Sequence, residues 1–170
     1  MITIRPERRE DAAQVRRVNE LAFGQPVEAD LVDRLRRVRT DSLSLVGEDD
    51  GVVGYILFTP VVVESAERRV LGMGLAPMAV LPNYQRQGIG SQLVRRGLDI
   101  VLERGCPFVV VVGHPEYYPR FGFEPASKRG LTSQWEGIPD AAFMVLVLDA
   151  HTMAGVSGVA KYSEEFNEVA

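Results

Sequence analysis

Cysteine is almost missing from this sequence. Cys106 is the single one in 170 residues, so no intrachain disulfide can form and the chain suits a reducing compartment. It stands beside Pro107 ahead of an apolar run, the setting of a buried structural thiol. Long hydrophobic runs are also lacking. No stretch of about 18 apolar residues occurs, and the opening "MITIRPERREDAAQ" has no leader-like apolar segment. The expectation is a soluble, cytoplasmic protein with no membrane partner. Nor is there an excess of positive charge: the formal net charge is -4 and the pI is near 5.3, which disfavours nucleic acid as a partner held by bulk electrostatics. Repeats, low-complexity tracts and linkers are absent. One domain over residues 1–150 is therefore expected, with residues 151–170 as a tail packing on or near it. A chain of this length buries roughly 70% of the surface of its unfolded form, so its core needs no structural metal.

Periodicity supplies the elements. "ITIRP" reads as a short first strand, and Ala12, Val15, Val18 and Ala22 follow at helical spacing behind the acids Glu10 and Asp11, which suit a helix start. "FGQP" interrupts that pattern, and Leu31, Val32, Leu35 and Val38 form the apolar stripe of a second helix from about Glu28 to Arg39. Two β-rich runs joined at Asp50 and Gly51 signal a hairpin. With "RRVLGMGLAPMAVLP" they make an antiparallel meander. A third helix spans Gly88 to about Arg104, and "PFVVVVG" is the β-branched run of a strand covered on both faces. Strand, helix and strand then form a right-handed parallel crossover. "HPEYYPRFGF" reads as a turn or short helix and "AAFMVLVLD" as a late strand. The tail "GVSGVAKYSEEFNEV" is weakly patterned, a candidate edge strand or cover for a neighbouring surface. The fold class is α/β with a mixed sheet flanked by helices.

The stretch "PNYQRQGIGSQL" links a β run to a helix and puts bare backbone at the positive end of the helix dipole. Gly88 and Gly90 carry no side chain to hold a phosphate away from the amides, and successive amides can form an anion-binding nest. A pyrophosphate fits such a loop. Two glycines alone serve equally well as a flexible helix start, so context decides. A Walker loop needs Lys followed by Ser or Thr after its last glycine, whereas Gly90 is followed by Ser91 and Gln92. A dinucleotide GxGxxG fails as well, because Gly72 and Gly74 lie inside a β run ahead of Pro77.

On these residues the chain resembles the GNAT N-acetyltransferases. "LAPMAVLPNYQRQGIGSQLV" is similar to their acetyl-CoA motif, a strand leading through Q/RxxGxG/A into a helix, with Gln85, Gly88 and Gly90 at the matching positions. "YPRFGF" resembles the family's YxxxGF tyrosine element, and "IRPERREDAAQV" its opening strand and helix. "VVVVGHPEYYPRFGF" is similar to the bacterial branch known as YhbS-like acetyltransferases.

The resemblance implies a GNAT-like mixed sheet: antiparallel N-terminal strands plus the parallel crossover at the cofactor site. It implies acetyl-CoA as cosubstrate, no metal, and a small-molecule or protein amine as acceptor, with a homodimer as a common assembly. Backbone amides of Arg86, Gln87, Gly88, Ile89, Gly90 and Ser91 would take the pyrophosphate beside Gln85. Met78, Ala79 and Val80 would pair their main chain with the pantetheine arm, and the Ala79 N–H would face the thioester oxygen. Tyr118 would be the general acid, protonated at neutral pH as a donor must be, with Tyr117 next in line. Glu28 is the candidate base, although an acid in a first helical turn also stabilises the helix with no catalytic duty; Glu116 and His114 compete with it. The asparagine that many members carry before the tyrosine is missing from "GHPEYY", which leaves its contact to His114 or a backbone group. Two other classes stay open: a noncatalytic acyl-CoA sensor, which needs the loop and no acid, and a dinucleotide oxidoreductase, which lacks its fingerprint.

Overall fold

The computed structural model describes residues 1–168, and its chain divides into two compact units. The first comprises Met1–Phe58, Ala76–Asp99 and the segment from Glu164 onward. It holds β1 (Thr3–Pro6), α1 (Ala12–Phe23), α2 (Val27–Val38), β2 (Leu43–Asp49), the start of β3 (Gly51–Glu64), the end of β4 (Arg69–Val80) and most of α3 (Ile89–Glu103). β1 pairs antiparallel with β2, Arg5 opposite Val46. β2 pairs antiparallel with β3 across the expected Asp50–Gly51 turn.

Side-chain alternation sends the two faces of this sheet to different helices. On one face Gly47 and Gly54 form a shelf for α3: a Cβ on Gly54 would stand 3.1 Å from Ile89 Cγ2 and 3.1 Å from Leu93 Cδ1. Further along α3, Phe58 fills the space over Gly97, where a Cβ would meet its ring at 2.3 Å. On the other face Tyr55 and Leu57 look toward α2. The apolar stripe of α2 is buried at Leu31, Val32 and Leu35. α2 carries Glu28 and Asp30 in its first turn and Arg36 and Arg37 in its last, each suiting the helix dipole. α1 ends on Gly24 at φ +70°; Arg16 joins it to α2 by ion pairs of 2.8 Å with Asp30 and 2.7 Å with Asp33.

The second unit comprises Thr59–Leu75 and Ile100–Ser163. It adds β5 (Phe108–Val112), β6 (Glu124–Pro125), β7 (Leu131–Ser133), β8 (Phe143–Val147), a single-turn α4 (Ala150–Met153) and β9 (Gly158–Lys161) to the remainders of β3, β4 and α3. β5 runs parallel to β4, with Met73 opposite Val109 and Gly74 opposite Val110, and antiparallel to β8 along all five of its residues. Phe108 to Val111 are buried, as the valine run required. Gly72 and Gly74 sit under the rings of Phe108 and Tyr162, which gives the two glycines a packing reason in place of a nucleotide-binding one. The sheet is mixed and flanked by helices, as expected.

Three expectations need adjustment. Glu10 and Asp11 fall in a 3-10 turn, Arg9–Asp11, ahead of α1. The tail does form a strand, but β9 has a neighbour on each side, antiparallel β3 and parallel β7. Residues Leu131–Ser133, where no element was expected, form β7. Cys106 is half-buried, its Sγ donating to the Phe108 carbonyl at 3.1 Å, and burial pushes its thiol pKa up.

Asp11 is 3% exposed. It accepts from both terminal nitrogens of Arg5, at 2.7 and 3.0 Å, and from the Arg8 N–H at 2.6 Å. Arg5 also donates to Glu48 at 2.9 Å, so the cluster ties β1, β2 and the entry to α1 together. The hydrogen bonds from Arg5 hold both carboxylates below their ordinary pKa. Depressed carboxylates contribute their stability above the unfolded pKa, near 4, and lose it as pH falls through the folded one. Asp11→Asn is thus expected to cost about 2–3 kcal/mol at pH 7, with the gap to wild type shrinking below about pH 4. Urea titrations at pH 7, 5 and 3 check this; a gap that is the same at all three would refute the role given to the charge.

Candidate functional site

The loop before α3 is built within the first unit from the end of β4 onward. Leu81 donates its N–H to the Val53 carbonyl on β3 at 2.9 Å, and a Cβ on Gly54 would lie 3.7 Å from the Ala79 carbonyl oxygen. Ala79 in β4 and Leu81 just beyond its end therefore turn these backbone groups toward β3. The Val80 carbonyl, one step out of phase, accepts instead from Gln85 Nε2 at 2.9 Å. Alternation along a strand places the N–H groups of Met78 and Val80 on the edge away from β3 and that of Ala79 toward it. This revises the expectation that the Ala79 N–H faces a thioester oxygen: its neighbours are the ones turned outward.

A one-turn 3-10 helix, Pro82–Tyr84, reverses the chain after β4. Tyr84 anchors it by a hydroxyl bond to Asp49 at 3.2 Å, and Gln87 Nε2 donates to the Asn83 carbonyl at 3.2 Å. The glutamines thus occupy two carbonyls of the segment, at Val80 and Asn83, which leaves its polar surface weighted toward N–H donors and so toward anions. Arg86 at φ +63° and Gly88 at φ +84° make the sharp bend, and nothing lies within 4 Å of where a Gly88 Cβ would be. Arg86 adopts this left-handed backbone without being glycine, an uncommon conformation that costs of order 1–3 kcal/mol. The first helical bond of α3 runs from Gln92 N–H to the Gly88 carbonyl at 3.0 Å. The N–H groups of Ile89 and Gly90 lie ahead of it and have no i-4 carbonyl, the arrangement that helix starts offer to phosphate. Ile89, 2% exposed, pins this end of the helix on the Gly47–Gly54 shelf. The residues anticipated for the cofactor are therefore brought together here: Met78, Ala79, Val80, Gln85, Arg86, Gln87, Gly88, Ile89, Gly90 and Ser91 occupy one strand end, one turn and one helix start.

Glu28 lies half-buried in the first turn of α2, with both carboxylate oxygens 3.1 Å from Gln25 Nε2. Tyr118 belongs to the second unit. It opens a 3-10 helix, Tyr118–Phe121, and is 7% exposed. Its ring lies so close to Gly113 that a Cβ there would meet Cε2 at 2.3 Å. Tyr117 and Phe123 pack edge-on against it, at centroid distances of 5.1 and 5.8 Å. Burial, then the neighbouring Tyr117, pushes its pKa up to about 12. A phenol so placed stays protonated across the neutral range and has a proton to donate. Tyr162 on the tail is also buried, its ring tilted against that of Trp135 with the centroids 4.9 Å apart, and its pKa is raised by burial and by Tyr118. Sequence reading gave Tyr162 no role; its position depends on the pairing of β9, which no local pattern announced. His114 and Glu116 are exposed on the turn before Tyr118. Among the described residues no group of His, Cys, Asp and Glu could hold a metal ion, and no helix is long and apolar enough to cross a membrane.

Comparison with known proteins agrees with this loop and strand order. Residues 3–126 match the acetyltransferase (GNAT) domain. The chain is 40% identical over 159 residues to the uncharacterized N-acetyltransferase YhbS of Escherichia coli K12, covering 92% of this chain and 93% of that one. The crystal structure of Escherichia coli YhbS in complex with CoA superposes with a TM-score of 0.91 at 39% identity, covering 98% of this chain and 92% of that one. A GNAT acetyltransferase from Brucella melitensis in complex with acetyl-CoA gives 0.78 at 35% identity, with 98% of each chain covered. Match, identity and fold coincide over nearly the whole length, and the chain belongs to the GNAT N-acetyltransferase family.

Proposed function

We propose that this protein moves an acetyl group from acetyl-CoA to a primary amine of a small molecule or protein, by direct attack and with no covalent enzyme intermediate. The observation that carries the reading is the loop from Gln85 to Ser91: N–H groups ahead of the first α3 bond, carbonyls occupied by glutamine side chains, and a bend with open space at Gly88. A pyrophosphate suits it. The outward N–H groups of Met78 and Val80 support pairing with an extended amide-bearing arm, in the manner of an added strand. One of them, rather than the Ala79 N–H, is the better donor to the oxyanion that forms when the amine attacks.

In the reaction the amine nitrogen forms a bond to the thioester carbon, the C–S bond breaks, and the CoA sulfur leaves as thiolate. Tyr118 is assigned the proton delivered to that sulfur, consistent with a pKa raised to about 12. The proton lost by the amine is assigned to Glu28, directly or through water, with His114 and Glu116 as competing acceptors. Fixing both reactants in a reactive orientation supplies several kcal/mol of the rate enhancement.

Two experiments test this reading. Gly88 and Gly24 both have positive φ and nothing within 4 Å of a would-be Cβ, so alanine should cost each about 1–2 kcal/mol of backbone strain. Only Gly88→Ala should weaken CoA binding, by roughly tenfold or more in calorimetry, a loss near 1.4 kcal/mol; equal affinities in the two variants would argue against the loop. Tyr118→Phe should lower kcat by about 10²-fold or more while CoA affinity holds, and the wild-type rate should show no alkaline loss up to pH 10 attributable to this group. Turnover unchanged in Tyr118→Phe would remove the acid assignment. CoA binding with no turnover on a broad amine panel would favour a noncatalytic acyl-CoA sensor.

A further inference from the structure

The second unit contains a buried tyrosine that the transfer chemistry has not used. Tyr162 directly follows β9, and two ties set its place: β9 lies between β3 and β7, and the Tyr162 N–H donates to Gln134 Oε1 at 2.6 Å. Its ring packs against Trp135 and also reaches β4. A Cβ on Gly74 would stand 2.6 Å from Tyr162 Cε2, 3.1 Å from its Cζ and 2.8 Å from Val61 Cγ2. The hydroxyl-bearing end of the ring therefore rests on Gly74, in room that only a glycine leaves. Tyr162 is 8% exposed. Burial first, and then Tyr118, raise its pKa, so a neutral O–H at this end lies within electrostatic reach of Tyr118.

Gly74 is also where β4 and β5 part. Met73 pairs with Val109 and Gly74 with Val110; among the described residues the register stops there, although β4 continues to Val80 and β5 to Val112. Up to Gly74 the outer edge of β4 is taken by β5, and beyond it that edge has no β5 partner. Opposed side chains of a strand pair share a face, so Val110 lies on the Tyr162 side of the sheet with Gly74, and Val112, two residues on, lies there too. Phe108 to Val111 are at most 1% exposed, whereas Val112 is 42% exposed. An apolar side chain thus stands uncovered past the fork, on the face that Tyr162 bounds.

An extended arm that pairs with Val80 and then with Met78 runs down β4 toward Gly74, and it must end where β5 takes over the edge. Its acyl end is the part aimed at the fork. On the basis of the acetyl-CoA reading, we propose that Tyr162 determines the acyl-chain length: the end of its ring closes the fork over Gly74 and leaves a short apolar slot beside Val112 that takes an acetyl group and refuses longer chains. The ring is held by Gly74, Trp135 and the Gln134 bond to its own backbone, so it cannot swing aside without disturbing packed neighbours. Chain length is then read by a residue of the C-terminal tail.

The test is calorimetry of the full-length protein with CoA, acetyl-CoA, propionyl-CoA and butyryl-CoA, each affinity divided by the same variant's affinity for CoA. No acceptor amine is needed. Wild type is expected to take acetyl-CoA about as well as CoA and to lose roughly tenfold or more by butyryl-CoA, the scale of forcing extra methylenes into a packed site. Tyr162→Phe removes only the oxygen at the ring end and should recover propionyl-CoA; Tyr162→Leu should recover butyryl-CoA as well, by about tenfold. The phenylalanine variant keeps the ring against Trp135 and keeps the experiment informative should Tyr162→Leu fold poorly. The proposal is overturned if wild type binds all three acyl-CoAs alike, or if both variants keep its chain-length profile; CoA binding would in either case leave the loop reading standing. Absence of heat with CoA itself would remove both.

Discussion

The close seating of α3 on a strip of bare backbone is the constraint on which the proposed cofactor end of the first unit depends. Gly47 and Gly54 leave room for Ile89 and Leu93, and Gly97 leaves room for Phe58. Side chains at these places would lift the helix from β2 and β3, and with it the N–H groups at its start. Since β4 is tied to the same β3 through Leu81 and Val53, strand end and helix start share one support. Their relative geometry is set by core packing, and the exposed loop between them only has to span the gap.

That loop shows how polarity can be built without charge. Neither Gln85 nor Gln87 is ionised, yet each donates its amide to a backbone carbonyl of the segment. Acceptors are consumed inside the loop, and donors remain in the majority. Arg86 in a left-handed conformation and Gly88 beside it set the curvature that brings successive amides round to one side. An anion site built this way, as proposed for the loop, would tolerate a net-negative protein, because the attraction is local and directional.

What could be read in the sequence was whatever is written locally. The loop is contiguous, so glycines, preceding strand and following helix all fall in one window. The Asp50–Gly51 hairpin and the valine run of β5 are local in the same sense. Tyr118 was singled out by its short motif, although the packing of its ring against Gly113 was not foreseen. Features that depend on a distant neighbour were hidden. β7 is three residues long and pairs with β9, some 27 residues away in register; neither has an alternation strong enough to predict. Which β4 amides face outward depends on the register with β3, and a sequence motif names residues without saying which way their N–H groups point.

β9 occupies an interior place in the second unit, between β3 and β7, although it comes from the end of the chain. Val63 meets Ala160 across that pairing, almost a hundred positions apart. During synthesis the C-terminal end of β3 must therefore leave the ribosome long before its β9 partner exists, with that hydrogen-bonding edge uncovered in the meantime. Pairings of such high contact order form slowly, and uncovered strand edges invite association with other chains. The nascent protein is most exposed to aggregation in the interval between the translation of β3 and that of β9.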